Sequence, residues 1–247
     1  GKTHIASRAV AWFVCTRRPS IVITTAPTDR QVRGILWKEI RSVYQRSRID
    51  FGARVLTQSL SFGPGHFAIG FTAPDYDPDR FQGWHAGGEG HVLVVVDEAS
   101  GVSKRIFEEG VQAVMASAGA RLLLIGNPTD SQSEFARSFE DPSPGAFRIS
   151  AFDTPNFTEL GILPEDVESG EWRRKVEGRS LPRPYLVTPE WVADRHEKWG
   201  PSSPHYCSRV LAEFSTSGEE VVIPPALVER ARARRIGGHG HVELGVD

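Results

Sequence analysis

Val92-Leu93-Val94-Val95-Val96-Asp97-Glu98 is the stretch that decides the fold. Five consecutive apolar, mostly β-branched residues suit a strand buried on both faces, which is the pattern of parallel sheets covered by helices on either side. Two adjacent carboxylates at its C-terminal end fall on the edge where open α/β sheets bind ligands. Working outward, Ile21-Val22-Ile23-Thr24-Thr25-Ala26 is a second continuous run, stopped by Pro27, and Arg121 to Ile125 is a third, ending in Gly126-Asn127-Pro128. Helical spacing separates them. Ile5, Ala9, Trp12 and Phe13 recur between Thr3 and Arg18, and Val32, Ile35, Leu36, Ile40 and Val43 follow a Thr28-Asp29 cap. Further helices are expected over about 103 to 116 and 131 to 139. Val55 to Phe62 and His66 to Thr72 predict an antiparallel hairpin around Gly63-Pro64-Gly65, Asp75 to Gly90 an exposed loop, and Phe147 to Phe152 one more strand. The alternation specifies an α/β fold, a mostly parallel sheet covered by helices.

After Asp153-Thr154-Pro155 the composition changes: frequent prolines separate short helices, among them Pro189 to Trp199 and Pro204 to Phe214, and predict a small helical subdomain. Gly237-Gly238-His239-Gly240 reads as a linker, and Val242 to Asp247 alternates like the first strand of a further unit. The expected division is therefore residues 1–155, 156–236 and 237–247.

The 247 residues carry 39% hydrophobic and 24% charged residues, which is ordinary for a globular chain and excludes disordered and fibrous classes. No apolar run approaches the roughly 18 to 20 residues of a membrane span. No basic, apolar leader opens the chain, so a cytoplasmic location is expected. Cys15 and Cys207 lack zinc or disulfide spacing and are expected to be reduced core thiols. A net charge of −2 gives no global attraction to nucleic acid, so any such contact must come from local clusters such as Arg173, Arg174, Lys175, Arg179 and Arg183, or Arg230, Arg232, Arg234 and Arg235. Each cluster is read first as a solvated helical face, with phosphate contact as the alternative. His85 is read as a structural histidine, and His239 and His241 as linker residues rather than metal ligands.

Gly1-Lys2-Thr3, followed at once by a helix, matches the tail of a phosphate-binding loop, in which backbone N–H groups and the helix N-terminus hold phosphate oxygens. In that pattern Lys2 reaches the β and γ phosphates and Thr3 ligates magnesium. Asp97 then completes the magnesium shell and Glu98 polarises the attacking water, because phosphoryl transfer depends on positioning and charge. The alternative for Asp97 and Glu98 is a solvated pair capping the next helix. Asn127, at the end of the neighbouring strand, is placed to sense the γ phosphate, or simply to turn the chain. ATP and Mg2+ are the expected ligands.

The order of these motifs resembles the large subunit of tailed-phage terminases, ATP-driven motors that pack double-stranded DNA into procapsids. The resemblance rests on Gly1-Lys2-Thr3, Thr25-Ala26-Pro27-Thr28 with Gln31, Phe81-Gln82-Gly83-Trp84-His85-Ala86, Val96-Asp97-Glu98-Ala99 and Gly126-Asn127-Pro128-Thr129. It continues in Ser150-Ala151-Phe152-Asp153-Thr154-Pro155-Asn156 and Val187-Thr188-Pro189-Glu190-Trp191. It implies a P-loop NTPase domain of RecA-like type with a helical linker subdomain, fused to an RNase H-like nuclease whose first metal-binding carboxylate falls at Asp247. It also implies a homo-oligomeric ring in the bacterial host cytoplasm, with double-stranded DNA, a portal protein and the small terminase subunit as partners. Arg80, in the loop before the acidic strand, is the candidate arginine that reaches a neighbouring subunit's phosphoryl group. Since the chain opens inside the phosphate loop and closes at Asp247, a fragment with little activity of its own is expected. A helicase-like DNA-dependent ATPase and a non-catalytic prophage remnant are the alternatives.

Overall fold

The computed structural model describes residues 1–72, 77–81, 83–84, 90–117, 119–141 and 145–215. Helix α1 (Lys2–Thr16) leads into β1 (Ser20–Thr25), and a π-helical segment, Arg30–Leu36, runs directly into α2 (Trp37–Gln45). Thr28 starts that segment with a reciprocal cap: its backbone N–H and hydroxyl donate to Gln31 Oε1 at 3.0 and 2.8 Å, which satisfies donors at an open helix end. Strands β2 (Arg54–Val55), β3 (Ser59–Gly63) and β4 (His66–Gly70) follow, then β5 (His91–Asp97) and β6 (Arg121–Ile125).

These form one six-stranded sheet in the order β2-β3-β4-β1-β5-β6. β4, β1, β5 and β6 are mutually parallel, and β2 and β3 add an antiparallel margin. The mostly parallel sheet expected from the apolar runs is thus present. Every residue of β1, and all of β5 except His91, is buried. Strand alternation divides them between two cores. Val22, Leu93 and Val95 pack with Val10, Phe13, Leu36 and Trp37 beneath α1 and α2. Ile21, Ile23, Val92, Val94 and Val96 pack on the other face with Phe81, Ile106, Phe107, Val111 and Phe135. Each such aliphatic side chain contributes about 1.5 to 3 kcal/mol by leaving water.

Residues 151–211 build a third core from short helices and the turns between them, with no strand, and with Phe157, Ile162, Trp172, Val192 and Tyr206 at its centre. Helices α5 (Pro155–Thr158), α6 (Pro164–Ser169), α7 (Trp172–Val176), α8 (Pro189–Trp199) and α9 (Pro204–Tyr206) surround it, after the short α3 (Gln112–Met115) and α4 (Glu134–Arg137) of the sheet region. Asn156 is fully buried there and staples a loop: its amide donates to the Arg183 and Val187 carbonyls at 2.8 and 3.0 Å. Phe214 returns to the sheet region, packing its ring edge-on against Phe135 and Phe139. No described helix is long and apolar enough to cross a membrane.

Several expectations are corrected. Phe147 to Phe152 is not a strand: residues 145–150 pair with nothing in the sheet, Phe147 is 84% exposed, and Ala151–Asp153 is a 3-10 turn. Its cause is local, since Asp153 accepts the Ser150 backbone N–H and hydroxyl, both at 2.7 Å, and so draws the chain into a cap. Val55 to Phe62 is not one strand but the tight β2–β3 reversal, closed by Leu56 N–H donating to Ser59 O at 2.8 Å. The helix expected over 131 to 139 is only α4 with flanking turns. Cys15 and Cys207 are free thiols but only half-buried, with burial still raising both pKa values.

Candidate functional site

Parallel pairing brings the C-terminal ends of β1, β5 and β6 to one edge, with Asp97 directly beside Ile125 in the register. The N-terminus of α1 sits against that edge. No side chain caps α1, which begins on Gly1 and leaves its first backbone donors open. Such an end favours anions.

Lys2 Nζ donates to Asn127 Oδ1 at 2.7 Å and lies 3.8 Å from Glu98 Oε1. Thr3 donates its hydroxyl to Asp97 Oδ2 at 3.3 Å. Three segments up to 125 residues apart are thereby joined. Asp97 is 3% exposed, and its other oxygen accepts the Glu98 backbone N–H at 3.1 Å. Burial raises its pKa and the neighbouring Glu98 charge adds to this, against the opposing pull of the Glu98 N–H, the Thr3 hydroxyl and the Lys2 ammonium. Glu98 itself is left-handed, with φ 51 and ψ 48, a conformation that costs a non-glycine residue of order 1 kcal/mol. That turn ends the strand and puts the Glu98 side chain beside Lys2.

The donors are hard oxygens, a buried carboxylate and a hydroxyl in contact, which suits Mg2+ held by one or two side chains together with substrate phosphates. That chemistry does not need a cluster of three protein ligands, and none is found among the described residues. Thr3 and Asp97 would hold the ion, and Lys2 with the open end of α1 would hold phosphate.

Gly1, Lys2, Thr3, Asp97, Glu98 and Asn127 are thus brought together. Arg80 is not: its Nε donates to Asp77 at 2.8 Å and its guanidinium to the Thr72 carbonyl at 2.9 Å, within its own loop. Trp84 Nε1 donates to the Arg80 carbonyl, and buried Phe81 anchors the segment against Gly110. His85, the arginines at 230 to 235, the expected linker 237–240 and Asp247 lie outside the described residues. One contributor was missed in the sequence. Ser100 donates its hydroxyl to the Asn127 carbonyl at 2.6 Å, tying the turn after Glu98 to the end of β6. Nothing in the local pattern marks it, because the contact spans two strands.

A Lys-Thr pair at the head of a helix thus faces an acidic residue at the end of a buried parallel strand, on an α/β fold with a mostly parallel sheet, the arrangement that the phosphate-loop motif leads one to expect. No family model and no curated protein matches this chain. Among solved structures it is similar to the large terminase ATPase domain of Thermus phage P74-26, at 17% identity over 87% of this chain and 84% of that one, with a TM-score of 0.48. It is also similar to the large terminase of a thermophilic bacteriophage in complex with ADP, at 14% identity over 69% of this chain and a TM-score of 0.45. The aligned part spans 40% of the length of that large terminase.

Proposed function

We propose that this chain is the ATP-hydrolysing motor domain of a terminase-type large subunit that translocates double-stranded DNA. The observation that carries the reading is the convergence of Lys2, Thr3, Asp97, Glu98 and Asn127 on one sheet edge at an uncapped helix N-terminus. Lys2 exchanges its contacts with Asn127 and Glu98 for the β and γ phosphate oxygens of ATP. Bound Mg2+ supplies countercharge to those phosphates, with Thr3 and Asp97 as its protein ligands. Glu98 orients the attacking water and takes its proton as the bond to the leaving ADP breaks, giving ADP and phosphate. Asn127, released from Lys2, meets the γ phosphate.

The test uses the full-length protein. Glu98→Gln should keep nucleotide binding and lose hydrolysis, while Lys2→Ala should weaken binding itself. Unchanged turnover in the first variant removes Glu98 from the chemistry. Undiminished ATP binding in the second sinks the site assignment.

The finer parts of the reading extend the motif order given above. They are an arginine supplied across a ring of subunits by Arg80, a nuclease beginning near Asp247, and docking to a portal protein and a small subunit in the host cytoplasm.

A further inference from the structure

The formal charge of −2 hides a strong asymmetry. Residues 1–72 carry eleven lysines and arginines against three acids, a net +8, so the remaining residues carry −10. Beyond residue 72, nine of the fourteen described cations sit within 4 Å of a described carboxylate. In residues 1–72 only Lys2 and Arg8 make an ion pair of that kind with a described residue. Unpaired like charges on one body repel one another, and a polyanion relieves that repulsion.

Five of these arginines collect at the end of the sheet away from Asp97. Arg17 and Arg18 follow α1 and precede Ser20, which pairs with His91 at the start of β5, six residues before Asp97. Arg18 stacks over the Phe62 ring at 5.6 Å. Phe62 in turn stacks on His66 at 4.6 Å and meets Tyr44 edge-on at 6.3 Å. Tyr44 closes the loop carrying Arg46 and Arg48 by accepting the Ala53 N–H at 2.8 Å, and Arg54 pairs with Ser61 beside Phe62. Arg17, Arg18, Arg46, Arg48 and Arg54 are all exposed. Folding has therefore set Arg18 on this aromatic platform and brought Arg54 and the loop carrying Arg46 and Arg48 beside it, while Arg17 stacks over Trp12 at 5.4 Å.

We propose that this arginine-rich end is a seat for the phosphate backbone of duplex DNA, separate from the ATP site. The choice of DNA as the polyanion rests on the motor reading. Guanidinium groups suit phosphate because they donate in a planar fork and stay charged. Contacts of this kind neutralise phosphates without reading bases, so affinity is independent of sequence and falls steeply with salt. A translocating motor needs that indifference.

The test measures binding of a fluorescent 30-base-pair duplex to the full-length protein by anisotropy, without nucleotide, across a salt series. Arg46→Gln/Arg48→Gln/Arg54→Gln should bind roughly tenfold or more weakly and lower the log–log salt slope by roughly 3, near 0.9 per lost phosphate contact. Thermal melting should be unchanged, since the three side chains are exposed and Arg18, which packs on Phe62, is left in place. Arg173→Gln/Arg179→Gln/Arg183→Gln is the comparison and should bind as the parent does. Full duplex affinity in the first variant overturns the proposal, as does equal binding of the parent to phosphatidylserine vesicles and DNA. Neither outcome touches ATP hydrolysis, so failure here is distinguishable from failure of the motor reading.

Discussion

Gly70→Ala should be among the most damaging single-methyl changes in the sheet. A Cβ at Gly70 would stand 1.8 Å from Trp37 Nε1, 2.5 Å from Trp37 Cδ1 and 2.8 Å from Thr24 Oγ1. Trp37 is fully buried and donates Nε1–H to Thr24 Oγ1 at 2.9 Å, so its ring has no empty space to enter. Either the indole leaves its slot or β4 moves away from β1. Overpacking of this kind costs about 1 to 3 kcal/mol, and stranding a buried donor adds about 1 kcal/mol or more. A loss of roughly 3 kcal/mol follows, a large share of the roughly 5 to 15 kcal/mol that holds a domain together. Urea unfolding followed by circular dichroism should show a lower midpoint at unchanged slope. Trp37→Val removes the two nearest of these three atoms and leaves only Thr24 Oγ1, at 2.8 Å, so adding Gly70→Ala in that background should cost clearly less than in the parent, a coupling that a double-mutant cycle resolves. A loss below about 1 kcal/mol in the parent background, or an equal loss in both, would refute the steric account.

Asp166 accepts from Lys175 Nζ and from the Leu163 backbone N–H, and these bonds hold its carboxyl below the usual range. A depressed folded pKa gives stability that is present above the unfolded value of about 3.9 and is lost as pH falls through the folded value. Asp166→Asn should therefore be less stable than the parent at neutral pH, with the gap narrowing as pH falls below the unfolded value and through the lower folded one; a gap constant with pH counts against the ion pair. Mixing Arg80→Ala with Glu98→Gln subunits of the full-length protein should give more hydrolysis than either alone, because an Arg80→Ala subunit keeps the base that its neighbour's arginine can serve. Activity no higher in the mixture removes Arg80 from that role. Asp247→Ala should abolish metal-dependent DNA cleavage and spare ATP hydrolysis, and equal loss of both would point to a structural role instead.

Local chemistry was enough for the frame. The runs at Ile21 to Ala26 and Val92 to Val96 are buried strands of one parallel sheet because a stretch with no polar face can sit only between two helix layers. Asp97 and Glu98 were legible for the same reason: charges that interrupt such a run must fall where the strand leaves the core. Short-range competition was harder to read. Ser150 and Asp153 form a cap that outweighs the apolar alternation of Phe147 and Ile149, and that signal lay in the Ser-x-x-Asp spacing itself.

What required the tertiary structure were the relations between distant segments. Lys2 reaches Asn127 and Thr3 reaches Asp97 only because β5 and β6 pair in parallel and α1 docks on their common edge. Ser100 and the arginines around Phe62 belong to the same class. Their neighbours are set by strand order, and strand order follows from which faces must be buried together rather than from any single stretch of the chain.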